Sequence, residues 1–424
     1  MKKALIVDSG ARGAALQWAI EQDPEWQAVV MPGNAQTYRK GYSTSSDVEG
    51  IIDEAFRCGV NKYGTPDLMI VGPEAYLEEG LADELRMMID RWVVGPSKKA
   101  ARLETSKGWA RRFMRRHNIP HPKFRIVDSA YDAMLAYDQQ FSVLKANGLA
   151  AGKGVKIPES RGEAGQAIHE MMTDRIYGDA GQVLVCEERM MGPEISFHVV
   201  TDGLNAVPLL GAADKKRRFD GDKGPNTGSM GASCSKQIMS QRLVDEVMED
   251  VVYPTLRGMA AEGYPYQGFL YVSLMLTEDG PKVVEFNVRP GDPEILVILA
   301  LLKSNFAELM VKCTEPDGLR NHKLEWADCT AVCTVLAHDW YPGKGSTGTV
   351  ITGLDQAAAL QDVLVFQAGT KQNQDGEVIT NGGRVVDVVG LGDTMKQASD
   401  RSIAAAEVIN FRTKAFRRDI ALGL

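Results

Sequence analysis

The sequence lacks any apolar run approaching the roughly 20 residues that a membrane span requires, so no spanning helix is expected. It opens M-K-K-A-L-I-V-D, a charged pair and an apolar run broken at once by Asp8. That is too short for a signal peptide and reads as a first β-strand. The six cysteines (58, 186, 234, 313, 329 and 333) form no C-x-x-C pair and no tight cluster. A zinc site is therefore not expected, and free thiols in a reducing, cytoplasmic setting are. Basic charge is not in excess either: the formal net charge is −8, which argues against a dedicated nucleic-acid binder. The arginine-rich stretch with Arg111, Arg112, Arg115 and Arg116 reads as a solvated helix face. No internal repeat and no low-complexity segment is present.

What is present is ordinary folded-protein text, 424 residues long with 44% apolar and 25% charged residues, enough for two to four domains. The first hundred residues alternate short apolar strands (4–7, 28–31, 68–71 and 92–94) with helical patterns. Each strand ends in a polar or glycine-bearing turn. That alternation predicts a doubly wound parallel sheet whose ligands lie beyond the carboxyl ends of the strands. Residues 100–122 read as helical up to Pro120 and Pro122. Residues 123–190 read as a small α/β unit, 191–325 as longer strands with a hairpin. From 329 the text reads as strands (T-A-V-C-T-V-L-A-H, G-T-V-I-T-G, G-G-R-V-V-D-V-V-G) closed by a helix near 395–415.

The stretch L-K-A-N-G-L-A-A-G-K-G-V over 144–155 suggests phosphate. A Walker loop needs G-x-x-x-x-G-K-S/T between a strand and a helix. Here Gly148 and Gly152 are one spacer too close, Gly154 replaces the hydroxyl residue, and both flanks read as strands. The pattern is that of a glycine-rich hairpin. Either its backbone N–H groups fold over phosphate, with Lys145 pointing into the same site, or it is a surface hairpin with two solvated lysines.

Downstream, V-V-E-F-N-V-R-P-G-D-P-E over 283–294 alternates faces as a strand does. Glu285, Asn287 and Arg289 fall on one side, Val284, Phe286 and Val288 on the other. A carboxylate and an amide oxygen two residues apart suit Mg²⁺ shared with nucleotide phosphates; a solvated polar edge is the alternative. Between these segments, L-V-C-E-E-R-M-M-G-P-E over 184–194 reads as a strand, a short linker and a second strand. Such a linker can meet an adenine edge with its backbone, and Glu194 can reach ribose hydroxyls.

Glycine-rich hairpin with lysines, E-E-x-x-x-G-x-E linker and E-x-N strand, in that order, resemble the ATP-grasp superfamily. Longer matches resemble the phosphoribosylamine–glycine ligase (glycinamide ribonucleotide synthetase) family across essentially the whole chain. They include V-G-P-E-A at 71–75, D-K-K-R at 214–217, G-P-N-T-G-S-M-G-A at 224–232, G-F-L-Y at 268–271, E-F-N-V-R-P-G-D-P-E at 285–294, A-G-T-K at 368–371, T-N-G-G-R-V at 380–385 and F-R-R-D-I at 416–420.

The resemblance implies an α/β ATP-grasp fold. An N-terminal parallel-sheet domain would span 1–103, an ATP-grasp domain 104–328 with its lid at about 123–190, and a C-terminal mixed α/β domain 329–424. It implies a ligase that activates an amino acid, glycine in the family, as an acyl phosphate and transfers it to an amine, 5-phosphoribosylamine in the family. ATP and Mg²⁺ are its cofactors, with Mn²⁺ as an alternative, in a monomer or homodimer.

Carried over residue by residue, the resemblance implies that Lys107 and Lys145 would bind phosphates under a flap formed by Gly148, Gly152, Lys153 and Gly154. Glu187, Glu188 and Met190 would frame adenine, Glu194 would bind ribose, and Glu285 and Asn287 would hold the metal. Arg289, Asp292 and the loop with Pro225, Asn226, Thr227 and Gly228 would hold the amino acid. Asp214, Lys216 and Arg217 would face the reacting centre. Arg12, Gly33, Asn34, Gly72, Pro73 and Glu74 would belong to the acceptor side.

Several positions depart from the family pattern. The turn G-R-E-H-A after the first strand is A-R-G-A-A here, so Glu-His becomes Gly13-Ala14, and two preceding glycines become Asp8 and Ala11. A carboxylate at 8 is electrostatically unfavourable beside a phosphate. Tyr76, Asn147, Lys215 and Ser229 replace the family's proline, aspartate, histidine and glycine, and D-W-Y-P-G over 339–343 replaces G-G-Y-P-G. Either this is drift within one activity, or the chain ligates an amino acid to a different amine. An inactive nucleotide-binding module would have lost Lys107, Lys145, Glu285 or Asn287, and all four are present.

Overall fold

Four short apolar runs form the first sheet, β1 (Lys2–Asp8), β2 (Trp26–Pro32), β3 (Leu68–Val71) and β4 (Trp92–Val94), all parallel in the order β2-β1-β3-β4. This is the doubly wound arrangement that the alternation predicts. The computed structural model describes residues 1–38, 46–57, 67–88, 92–150 and 153–422. Helix α1 (Ala11–Ile20) leaves the end of β1, and its buried Ala11, Ala14, Ala15 and Ala19 let neighbouring elements approach closely. Helices α2 (Val48–Arg57), α3 (Glu74–Glu79) and α4 (Leu81–Met88) complete this part.

The short α5 (Arg102–Thr105) and α6 (Lys107–Arg116) lead to the small unit read at 123–190. Strands β5 (Phe124–Val127), β6 (Val143–Ala146), β7 (Val155–Lys156) and β8 (Leu184–Glu187) form its antiparallel sheet in the order β5-β8-β6-β7. Helices α7 (Ala130–Asp138) and α8 (Arg161–Ile168) are N-capped by Ser129 and Ser160, each accepting a backbone N–H three residues on. The glycine-rich stretch joins β6 to β7 as a hairpin, as its flanks predict.

A ten-stranded sheet forms the body. Its strands are β9 (Glu194–Thr201), β10 (Ala206–Pro208), β11 (Ala212–Asp214), β14 (Gly231–Cys234), β15 (Gly268–Thr277), β16 (Gly280–Asn287), β17 (Thr330–His338), β18 (Val363–Gln367), β21 (Arg384–Gly392) and β22 (Lys414–Ala415); β12 (Arg217–Phe219) with β13 (Lys223–Asn226), and β19 (Thr370–Gln372) with β20 (Val378–Thr380), pair outside it. The central path runs β16-β15-β9-β11-β14-β17-β21-β18, with β10 beside β9 and β22 beside β17. Because β14 pairs with β17, the C-terminal part from Thr330 continues the same sheet edge to edge. G-T-V-I-T-G, read as a strand, makes only isolated bridges at Val350 and Thr352.

Behind β9, β15 and β16, helices α9 (Gln241–Val247) and α10 (Tyr253–Ala261) bury Val247, Leu256 and Met259 with Phe197, Val272, Leu274 and Phe286. Helix α11 (Glu294–Leu301) is apolar on every side after Glu294. It lies buried between α1 and the sheet, as an all-round apolar helix must. Among the described residues no helix is long and apolar enough to cross a membrane, and five cysteines are free.

Candidate active site

The floor of the site is set by strand register. Pairing aligns Ser273 with Ser196 and Glu285, and Tyr271 with His198 and Asn287. Six polar side chains therefore share one face, with Phe197, Leu270, Val272 and Phe286 on the other. The strict alternation expected for 284–288 fails at its first residue. The register shifts between Ser273 and Leu274, which face Glu285 and Val283, so Val284 is the extra residue of a β-bulge. Val283 turns into the core, and Val284 moves to the cleft side. The bulge has a use: the Val284 carbonyl accepts from Lys145 Nζ at 3.0 Å and from Arg111 Nη2 at 2.6 Å.

Above this floor lies a cleft of about 1240 Å³, continuous with a second space of about 640 Å³ through Lys145, Glu187, Val284, Glu285, Asn287 and Arg289. Together they are lined by Lys107, Lys145, Glu187, Glu188, Met190, Glu194, Asp214, Lys216, Asn226, Thr227, Gly228, Glu285, Asn287, Arg289 and Asp292. Residues read from six separate segments, at 107, 145, 187–194, 214–216, 226–228 and 285–292, thus meet in one place. Glu74 reaches it from the first domain and pairs with Arg289 at 3.2 Å.

The Glu187 carboxylate is fully buried between Arg111 (2.6 and 3.0 Å) and Lys145 (2.8 Å). It holds these two cations in place, so only its backbone is free for the adenine role read for it. Burial holds the Lys145 ammonium below its usual range against the pull of Glu187. Glu194 pairs with Lys216 and accepts from Ser273 Oγ at 2.7 Å.

Burial alone would raise the carboxyl of Glu285. The charges of Lys107, Lys216, Lys145 and Arg289 outweigh it, and the group stays below the ordinary carboxylate range. Asn287 Oδ1 accepts from Arg289 Nη2 at 3.2 Å, while its buried amide nitrogen has no partner among the described residues. No group of three histidine, cysteine or acidic side chains that could hold a metal occurs among the described residues. One ionised carboxylate and one amide fit a hard cation that takes its remaining ligands from phosphate and water.

At the other end, Arg289 reaches Glu104 (3.3 Å) as well as Glu74. Asp292 Oδ2 accepts from Arg384 Nη2 at 2.9 Å; Arg384 Nη1 donates to the carbonyls of Asp292 (2.8 Å) and Gly228 (2.7 Å). Asp292 Oδ1 is buried without a partner among the described residues. Tyr271 Oη donates to Glu294 at 2.8 Å, and His198 stacks on its ring and accepts the Gly291 N–H at 3.0 Å. Burial pushes His198 down to about 3, so it is a neutral acceptor bracing the G-D-P turn.

Glu104, His198, Tyr271, Glu294 and Arg384 had no role in the sequence reading. Three of them, Tyr271, Glu294 and Arg384, lie inside motifs already singled out, and that was their only signal. Arg217 is exposed and donates to Gly224 O at 2.8 Å, and neither it nor Pro225 lines the cleft.

On the flap, Leu149 and Ala150 line the site. A Cβ on Gly154 would lie 2.7 Å from Ala150 Cβ, and one on Gly148 a tight 3.0 Å from Ala180 Cβ. Lys153 Nζ donates to Pro342 O at 2.9 Å, pinning the hairpin to the C-terminal part. Gly152 lies outside the described residues. Asn147 Oδ1 accepts from Gly108 N at 2.8 Å, tying the hairpin to the start of α6.

The first-strand turn corrects one expectation. Asp8 is buried, not aimed at a ligand: Oδ1 accepts from the N–H groups of Ser9 (2.7 Å) and Gly10 (2.8 Å), and Oδ2 from Arg12 Nε at 2.6 Å. Arg12 also donates to Pro290 O at 3.1 Å, so its charge is already matched. A Cβ on Gly13 would lie 2.7 Å from Asp8 Cβ, and one on Gly72 2.3 Å from Asp8 Oδ2. The exchange of glutamate for Gly13 and the arrival of Asp8 are one compensated change.

Gly13→Ala, which ordinarily favours a helix, is expected here to destabilise by about 1–3 kcal/mol. The loss is read as a shift in the denaturant midpoint; Asp8→Gly should destabilise as well, because it strips buried Arg12 of its carboxylate partner. Pro73 caps α3. Gly33 and Asn34 line a different cleft, with Ser9, Tyr38, Thr370 and Lys371, and Asn34 Nδ2 is tied to Gln367 O at 2.5 Å.

Family models described as phosphoribosylglycinamide synthetase match the chain in three consecutive parts: N domain over residues 2–104, ATP-grasp (A) domain over 105–295 and C domain over 331–423. The chain is 40% identical to a phosphoribosylamine–glycine ligase of Neisseria meningitidis, over 99% of this chain and 98% of that one. It matches the crystal structure of phosphoribosylamine–glycine ligase from Thermotoga maritima with a TM-score of 0.79 and 32% identity, over 98% of this chain and 99% of the other. The biotin carboxylase domain of Hydrogenobacter thermophilus 2-oxoglutarate carboxylase, solved with MgADP, shares the fold alone (TM-score 0.72, 16% identity, over 98% and 91%).

Proposed function

The chain belongs to the phosphoribosylglycinamide synthetase family, and on that premise we propose that it is an ATP-dependent ligase of purine biosynthesis joining glycine to 5-phosphoribosylamine. The observation that carries this reading is Glu285, a carboxylate kept ionised by four surrounding cations, in one cleft with Arg289 and Asp292.

A carboxylate is a poor electrophile because its leaving group would be oxide. Attack of the glycine carboxylate on the γ-phosphate of ATP makes an acyl phosphate, whose leaving group is phosphate. Arg289 orients the carboxylate, and the free Oδ1 of Asp292 accepts from the glycine ammonium. Lys107, Lys145 and Lys216 stabilise charge on the transferring group. Glu285 and Asn287 would hold Mg²⁺, or Mn²⁺ in its place, which supplies further charge neutralisation when bound. The flap, pinned through Lys153, keeps water from the mixed anhydride. The amine then attacks the acyl carbon, giving the amide, ADP and phosphate.

One observation favours a second reading, in which the acceptor amine differs: Asp8 already neutralises Arg12 at the acceptor side. One experiment decides between the two. ADP release is measured with ATP and glycine, with and without freshly generated phosphoribosylamine. The first reading expects release that depends on both substrates. Release only with other amines would favour the second.

A further inference from the structure

Ser229 occupies a backbone conformation suited to glycine. Its φ is +101°, a region that side-chain-bearing residues rarely adopt, and it is 1% exposed. Neighbouring bonds hold it there. Its N–H donates to Thr227 Oγ1 at 3.0 Å, and Thr227 Oγ1 donates to Lys216 O at 2.8 Å. Its Oγ accepts from Gly231 N at 3.1 Å and donates to Asp214 Oδ1; the Gly231 carbonyl, also at 3.1 Å, is its other acceptor within reach. A glycine would fit the loop without strain. What only the serine adds is a donor to a carboxylate in the cleft.

We propose that Ser229 is a positioning residue for amide formation, its hydroxyl holding the Asp214 carboxylate in the orientation that receives the proton the amine loses. This rests on the ligase reading. In the step, the amine nitrogen bonds to the acyl carbon, the carbon–oxygen bond to phosphate breaks, phosphate leaves with the electron pair, and the N–H proton passes to Asp214.

The groups facing Asp214 are Glu294 from α11, Glu194 from β9, Tyr271 from β15 and Lys216 from its own loop. Burial and then Glu294 push its carboxyl up to about 7, with Glu194 adding to them; Lys216 and the Ser229 hydroxyl pull it down. Loss of the hydroxyl therefore moves it higher, and at neutral pH more of the enzyme carries Asp214 protonated and unable to act as a base.

The test compares wild type with Ser229→Ala, which keeps the strained backbone, and Ser229→Gly, which relieves it. In both variants the acid limb of kcat/KM for the amine is expected to move up by about one pH unit. Ser229→Gly should meanwhile unfold about 2 °C above Ser229→Ala. Infrared titration of the protonated carboxyl band, assigned by its loss in Asp214→Asn, reads the same shift without turnover. Unmoved limbs and an unmoved band in both variants would overturn the proposal. A band that moves in an enzyme that releases no ADP with glycine and phosphoribosylamine would instead overturn the ligase reading.

Discussion

Glu285→Gln is expected to lower the rate of ADP formation by about 10³-fold while leaving the fold and most of the nucleotide affinity in place. Glutamine has nearly the same shape, and among the described residues no hydrogen bond depends on the second carboxylate oxygen. What it removes is the one carboxylate whose charge Lys107, Lys216, Lys145 and Arg289 all act on together. Those cations remain to attract phosphates, so binding survives. The only ionised metal ligand of the E-x-N pair is lost, so the transferring group loses charge stabilisation when it needs it. If Glu285 belonged to a merely solvated strand face, the substitution would change the rate by no more than a few-fold. Single-turnover measurement of ADP beside equilibrium binding of a nonhydrolysable ATP analogue separates these outcomes.

Arg111→Met is expected to act on stability first, by about 3–5 kcal/mol. The guanidinium is 3% exposed and serves four oxygen acceptors: both oxygens of Glu187 and the carbonyls of Val283 (3.1 Å) and Val284 (2.6 Å). Methionine fills the volume and satisfies none of them. It also leaves Glu187 with Lys145 as its one remaining cation, drawing that lysine away from phosphate and raising KM for ATP. Arg111→Lys keeps the charge but not the planar fork, and should fall between methionine and wild type. Denaturant unfolding and the KM for ATP, measured together, check both parts. A stability change within 1 kcal/mol would contradict the account.

Much of the site was legible because its residues lie in short segments whose spacing is itself the chemistry. The E-x-N pair needs only the twofold repeat of a strand to bring both ligands to one face, and the flanks of the 148–154 hairpin exclude a Walker loop without reference to any partner. What was not legible depends on partners distant in sequence. The bulge that moves Val284 into the cleft is decided by the register against Ser273 and Leu274 on the neighbouring strand. Arg384 reaches Asp292 from the last quarter of the chain, and its motif gave no hint of that target. Asp8 looked unfavourable because a turn read alone does not show that Gly13 and Gly72 have cleared a pocket for its carboxylate. G-T-V-I-T-G had strand composition but makes only isolated bridges.

The central claim is that this cleft activates a carboxylate by phosphorylation before an amine attacks it. Glycine labelled with heavy oxygen in its carboxylate tests that directly, by mass analysis of the phosphate released during turnover with ATP and phosphoribosylamine. The account predicts one labelled oxygen in each phosphate formed, carried over when the acyl phosphate breaks. Phosphate without label, released at the rate of amide formation, would contradict it.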